Sequence, residues 1–150
     1  MSDKYDPLKI ENQICFPLYA CSKEIIKSYK PYLDKIDLTY TQYIVMMVLW
    51  EAKSINVKDL GEKLYLDSGT LTPLLKKLEI KEYITRNRSD KDERNLIIKV
   101  TDKGMKLREE ALSVPLEVSK CVKLTQEEAS FLYKILYKII DNMEGEDNNE

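Results

Sequence analysis

Apolar residues recur at Ile14, Leu18, Cys21 and Ile25 after Glu11, the three-to-four spacing of an amphipathic helix. Pro17 falls near the start of this helix, where a missing N–H is tolerated, or it kinks the helix there. Pro31 and the stretch from Asp34 to Asp37 mark a break. Thr39, with Gln42 three residues on, forms a capping box that opens a second helix from Tyr40 to Ala52. From Ile44 to Trp50 that helix is apolar on nearly every side, which predicts the central buried helix. Ser54 to Leu78 reads as helix–turn–helix. Val57, Leu60 and Leu64 line one short helix, and Leu71, Leu74, Leu75 and Leu78 line the inner face of the next. Asp67 or Ser68 caps this second member. Gly61 sits inside the first helix, as close packing would require. Pro73 lies in the first turn if its helix starts near Thr70, and bends the helix if the start is earlier.

After Tyr83 the period shortens to two. Ile84–Arg88 and Leu96–Val100 read as strands, joined by a wholly polar segment from Ser89 to Asn95. Lys103 to Leu112 reads as a helix, broken near Pro115. Thr125 with Glu128 is a second capping box. It opens a last helix carrying Ala129, Leu132, Ile135, Leu136, Ile139, Ile140 and Met143 on one side. Residues 144–150 read as an acidic disordered tail, and there is no internal repeat.

A helix–turn–helix followed by a charged hairpin is a winged helix. The fold class is therefore mainly α with a small β-wing (α+β), in one domain spanning 1–150. The winged-helix lobe occupies 39–103. The flanking helices, 11–36 and 105–143, are too apolar for a monomer surface and predict a homodimer.

Charge then separates the segments. The 150 residues carry 24 Lys+Arg and 26 Asp+Glu, a net −2. Residues 1–75 hold net −1, residues 76–108 net +5 and residues 109–150 net −6. The basic share falls on the end of the recognition helix and on the wing, which points to double-stranded DNA as partner. Lys76, Lys77, Arg86 and Arg88 suit phosphates, and Arg94 suits a narrow minor groove. Ser68, Thr70 and Thr72 are short enough to approach base edges or phosphates. A two-fold dimer would read a pseudo-palindromic operator. The absence of His removes Ser-His-Asp and Cys-His catalysis, His-based zinc sites and His pH switches. Neither a cofactor nor a metal is expected. The N-terminus lacks a signal-peptide core, and the longest apolar run, Ile44 to Trp50, is far too short for a bilayer, so a cytoplasmic protein with no membrane partner is expected. Cys15, Cys21 and Cys121 are odd in number and widely spaced, without a C-x-x-C pair, so they form no secreted disulfide framework.

Asp92-Glu-Arg94, followed by Val100-Thr101, resembles the D-x-R…L-T wing motif of MarR-type regulators, with Val100 in place of Leu. Three further stretches are similar to the organic-hydroperoxide-sensing branch of that family, OhrR. They are Glu11-Asn-Gln-Ile-Cys15-Phe-Pro-Leu-Tyr19-Ala, Leu38-Thr-Tyr40-Thr-Gln-Tyr43 with Trp50-Glu51, and the recognition-helix run from Leu64 to Lys77. The likeness extends from about residue 10 to 112 and weakens in the last helix.

This resemblance implies that Cys15 is the peroxide-reactive thiol, hydrogen-bonded at the dimer interface by Tyr29 and Tyr40, with Tyr19 a further neighbour. The start of a helix favours a thiolate, and its attack on a peroxide gives a sulfenic acid. Aromatic neighbours such as Phe16 favour organic hydroperoxides over hydrogen peroxide. Cys121 resembles the second cysteine of two-Cys members, whose disulfide forms between subunits. Cys21 lies on the same helix as Cys15, ~9 Å along and ~120° round, too far to pair with it, and reads as packing. The expectation is a thiol-based repressor and not an enzyme, since a peroxidase needs an activating Arg and none precedes position 86. Two alternatives stay open: a one-Cys sensor capped by an external thiol, and a regulator controlled by a phenolic ligand held among Tyr19, Tyr29, Tyr40 and Tyr43.

Overall fold

The structure is a computed structural model that describes residues 3–88 and 95–147. It divides into two compact units, Met1–Val118 and Ser119–Glu150.

The first unit is built round the apolar helix. α1 runs Cys15–Leu33 and α2 runs Tyr40–Ala52. Val45, Met46 and Leu49 of α2 are fully enclosed. The expected capping box is present: the Gln42 N–H donates to Thr39 Oγ1 at 3.3 Å and the Thr39 N–H donates to Gln42 Oε1 at 3.0 Å. Its return bond satisfies Gln42, a polar side chain otherwise costly to bury.

α1 differs from expectation at both ends. Ile10–Asn12 is a separate 3₁₀ turn and Gln13 is extended (φ −100°, ψ 110°), so the helix begins at Cys15 rather than near Glu11. Pro17 accounts for this, because its ring crowds a helical carbonyl four residues back and costs least in a first turn, where a start at Cys15 puts it. Pro31 does not break the helix. It lies inside the last turn, and the chain leaves only through the 3₁₀ turn Asp34–Ile36 and the left-handed Asp37 (φ 52°).

The helix–turn–helix consists of α3 (Val57–Leu64) and α4 (Ser68–Ile80). Asn56 caps α3 by accepting the Asp59 N–H at 2.8 Å, and Asp67 caps α4 by accepting the Thr70 N–H at 2.7 Å. A Cβ on Gly61 would stand 2.8 Å from the Leu66 carbonyl oxygen and 3.1 Å from Leu71 Cδ1, which is the close packing its position implied. Because α4 starts at Ser68, Pro73 falls in its second turn, where its missing N–H deprives the residue-69 carbonyl of an in-helix donor.

Three strands follow two patterns. β2 (Ile84–Arg88) and β3 (Leu96–Val100) form the expected hairpin, in register Ile84↔Val100, Arg86↔Ile98 and Arg88↔Leu96. The Ser89–Arg94 part of its connection lies outside the described residues. β1 (Ser54–Asn56) was expected to open the helix–turn–helix. It instead pairs with β3, giving the sheet order β1-β3-β2 and leaving β2 at an edge. Three residues are too few to display alternation, so the chain carried no signal for it.

The junction after the wing is tightly built. Thr101 Oγ1 accepts the Gly104 N–H at 3.0 Å, capping α5 (Asp102–Ala111), and donates to the Glu82 carbonyl at 2.7 Å. A Cβ on Gly104 would meet the Tyr83 carbonyl oxygen at 2.2 Å, so only glycine fits there. Trp50 Nε1 donates to the Gly104 carbonyl at 2.8 Å, which locks α5 against α2.

The break near Pro115 falls at Leu112 and Ser113, and Pro115 is the second residue of α6 (Val114–Val122). Cys121 therefore belongs to a helix and not to a linker, as the sequence reading had it.

In the second unit, Thr125 and Glu128 form the second capping box, with bonds of 2.8 and 3.2 Å. α7 runs Gln126–Asp147. It continues through Glu144, where a disordered tail was expected, because glutamate is a good helix former and adds to a helix already nucleated. Several of its apolar residues are exposed: Leu132 and Ile135 at 38% each and Met143 at 66%. No helix among the described residues is long and apolar enough to cross a membrane.

Candidate DNA interface and thiol site

α4 buries Leu71, Leu74, Leu75 and Leu78 on one stripe. At ~100° per residue, Thr72 and Lys76 fall on the opposite, outward side. Thr70 and Lys77 border one edge of that side, and Ser68 and Glu79 border the other. All five expected DNA-binding residues of this helix are exposed. The Asp67 cap holds the first turn in place, so Ser68, Thr70 and Thr72 are presented on ordered backbone.

On the wing the expected residues separate. Arg88, at the end of β2, is exposed. Arg94 lies outside the described residues. Arg86, expected as a phosphate contact, is paired with Glu79. Its Nε donates to Glu79 Oε2 at 2.8 Å, its Nη2 lies 2.7 Å from the same oxygen, and its backbone N–H donates to Glu79 Oε1 at 3.2 Å. The bonds from Arg86 hold the Glu79 carboxyl below the usual carboxylate range. Glu79 was not identified from the sequence, since nothing local couples a helix residue to a strand seven positions later. Lys81 was likewise missed: its Nζ lies 3.1 Å from Asp37 Oδ2 and also reaches the Asp37 carbonyl.

Cys15 is the first residue of α1 and is exposed. The residues around it on the chain are apolar and exposed: Ile14 (74%), Phe16 (46%) and Tyr19 (64%), the last one turn further along α1. Tyr29 packs edge-on against Tyr40 with ring centroids 5.0 Å apart, and lies 5.9 Å from Tyr43. Burial raises the pKa of all three phenols, so each keeps its proton and remains a hydrogen-bond donor. The structure brings Tyr29 and Tyr40 together but does not bring Cys15 to them within one chain. Tyr29 lies fourteen positions beyond Cys15 on continuous helix, a rise of ~21 Å. Cys21, on α1, and Cys121, on α6, are both exposed. A cleft of about 230 Å³ lies beside the phenols, lined by residues that include Tyr43, Met47, Trp50, Arg108 and Leu112. Among the described residues no cluster of metal-ligating side chains occurs.

Comparison with known proteins places this geometry. The SarA/Rot family of transcriptional regulators matches residues 27–111. The organic hydroperoxide resistance transcriptional regulator of Bacillus subtilis strain 168 is 46% identical over 143 residues, covering 95% of this chain and 97% of that protein. The similar solved structures include several of AbfR, one of them described as AbfR of Staphylococcus epidermidis. Reduced AbfR bound to DNA is similar at TM-score 0.76 and 33% identity, covering 94% of this chain and 99% of that one. Disulfide-formed AbfR is similar at TM-score 0.63 and 34% identity, covering 91% and 96%. With a winged helix, an exposed recognition helix and these relatives, the chain belongs to the MarR-like SarA/Rot family of DNA-binding transcriptional regulators, in the branch of the organic hydroperoxide resistance regulators, and is not an enzyme.

Proposed function

We propose that the protein is a cytoplasmic, homodimeric repressor that releases a pseudo-palindromic operator when Cys15 is oxidised by an organic hydroperoxide. The observation that carries this reading is the placement of Cys15. It is an exposed thiol at the start of a helix, set among apolar side chains, and its expected phenol partners are packed ~21 Å away on the same chain. A second subunit supplies them if the arms at 11–36 and 105–143 dimerise, and the exposed apolar residues of α7 support that arrangement.

The chemistry balances without any further group. The Cys15 thiolate attacks the peroxide, an S–O bond forms and the O–O bond breaks. The alkoxide leaves and takes a proton to become an alcohol, and Cys15 becomes a sulfenic acid. Tyr29 and Tyr40, still protonated, donate to the sulfur before attack. Cys121 of the partner subunit then attacks the sulfenic sulfur as a thiolate, an S–S bond forms, the S–O bond breaks, and the departing hydroxide takes a proton to become water. The disulfide shifts one arm against the other and changes the spacing of the two α4 helices, which must match half-sites ~34 Å apart. Ser68, Thr70, Thr72, Lys76, Lys77 and Arg88 are the DNA contacts in the reduced state. The similar AbfR has a structure described as disulfide-formed, which supports a disulfide as one oxidised state of such a chain.

Cumene hydroperoxide is expected to abolish binding to a duplex selected by the reduced chain from a random-sequence pool, and dithiothreitol to restore it. Release of DNA from Cys15→Ser on the same treatment would sink the reading. Non-reducing peptide mass spectrometry separates the two oxidised outcomes. A Cys15–Cys121 linked peptide supports the intersubunit bond. A Cys15 capped by added small thiol, with Cys121 reduced, overturns that step and leaves the one-Cys sensor.

A further inference from the structure

Arg86 sits in the most basic part of the chain and yet faces inward to an acid. Three observations say what it does there. First, the contact has three bonds, two from the guanidinium and one from the Arg86 backbone N–H, and they use both carboxylate oxygens of Glu79. Second, β2 is the edge strand of the sheet, so the outward Arg86 N–H has no strand to pair with, and Glu79 satisfies it. Third, Glu79 lies on an edge of the outward side of α4, in its last turns, where an unpaired carboxylate would repel a phosphate backbone. Pairing with Arg86 cancels that charge while tying α4 to β2. The Arg86 side chain is only 21% exposed, too enclosed to serve a second anion freely.

We propose that Glu79 and Arg86 are a pair of positioning residues that set the wing strand against the recognition helix, and that Arg86 acts on operator recognition through Glu79 rather than through phosphate. The wing and α4 are held in one geometry before DNA arrives, so the duplex meets a preformed pair of elements. This rests on the assignment of α4 and the hairpin as the DNA interface.

The salt dependence of binding separates positioning from phosphate contact, because log K falls with log salt in proportion to the phosphates neutralised. The probe is a fluorescent duplex selected by the wild-type chain from a random-sequence pool, titrated by anisotropy at several salt concentrations under reducing conditions. Circular dichroism at the assay temperature establishes that each variant is folded. Glu79→Gln and Arg86→Met are each expected to weaken binding by about tenfold, with the salt slope unchanged. The double variant is expected to bind no more weakly than the weaker single one, since each removes the same bracket.

A slope that drops by about two in Arg86→Met, one for each subunit, would make Arg86 a phosphate ligand and overturn the proposal. Tighter or unchanged binding by Glu79→Gln overturns it as well. If Arg86→Met does not fold, the near-isosteric Glu79→Gln decides the matter alone. If the wild-type chain selects no duplex at all, the fault lies with the interface assignment and not with the bracket.

Discussion

Mixed dimers test whether the thiol and its phenols belong to different subunits. Cys15 and Tyr29 lie fourteen positions apart on one unbroken helix, a rise of ~21 Å. A hydrogen bond to sulfur spans less than 4 Å, so no side-chain rotation closes that gap within a chain. The phenols must act on the Cys15 of the other subunit if they act at all. One subunit carrying Cys15→Ser is paired with one carrying Tyr29→Phe and Tyr40→Phe, each with a different affinity tag for purification of the mixed dimer. If the phenols act across the interface, the mixed dimer has one complete site: the thiol of the Phe-bearing chain meets the tyrosines of the Ser-bearing chain. If they acted within a chain, neither site would be complete. Hydrogen bonds to a charged group contribute about 1.5–3 kcal/mol each, so loss of both should slow oxidation by at least ~100-fold. The assay is trapping of the sulfenic acid with a dimedone probe after cumene hydroperoxide. The expected result is half the wild-type yield at the wild-type rate in the mixed dimer, and a rate at least ~100-fold lower in the Tyr29→Phe/Tyr40→Phe homodimer. A mixed dimer as slow as that homodimer would refute the reasoning.

Glu82 adopts a left-handed backbone (φ 63°) while its side chain makes only an exposed ion pair with Lys103 at 3.3 Å. Glu82→Gly is therefore expected to raise stability by about 0.5–1 kcal/mol in urea unfolding, and a loss of stability would count against strain at this turn. The Arg86 bonds depress the Glu79 pKa below its ordinary 4.5. The pair thus stabilises the fold above the ordinary carboxylate range, and that contribution is lost as pH falls through the depressed value. Glu79→Gln should flatten the acid limb of stability against pH, whereas an acid limb as steep as wild type would show the pair to be idle. Lys76→Ala should weaken binding to selected and unrelated duplexes alike and lower the salt slope by about two per dimer; loss on the selected duplex alone would make Lys76 a base reader.

The helical framework was legible because its signals are local. A capping box needs only Thr39 and Gln42, and a buried stripe needs only leucines at helical spacing. Both reappear as hydrogen bonds and burial. The departures came where a distant partner decides. β1 exists because β3 offers it an edge, and Arg86 turns inward because Glu79 lies beneath it. Pro31 shows the reverse case, a local breaker signal overruled. Pro31 removes one in-helix donor, the one for the residue-27 carbonyl, and the helix runs only two residues beyond it. Of the thiol site, the reactive cysteine and its phenols were readable as residues. The packing of Tyr29 on Tyr40 was not, because contact between two helices is set by the fold and not by local spacing.

The basic stretch of residues 76–108 illustrates how far a charge count can mislead about an interface. Its excess is net +5, yet some of its cations are held within the fold. Lys81 pairs with Asp37, Arg86 with Glu79 and Lys103 with Glu82, and all three pairs join separate elements of the winged helix. Lys76, Lys77 and Arg88 are exposed, and among the described residues they make no such pair. Of the three pairs, Arg86–Glu79, with three bonds on a largely enclosed guanidinium, ties the wing strand to the recognition helix, whereas Lys103–Glu82 is exposed and adds little. The unpaired group is what remains for phosphate. A repressor released by a change in the spacing of its two recognition helices needs both kinds. Unpaired cations without rigid struts would let each lobe adapt to a displaced half-site, and the switch would leak. Struts without unpaired cations would hold the geometry but bind too weakly to repress.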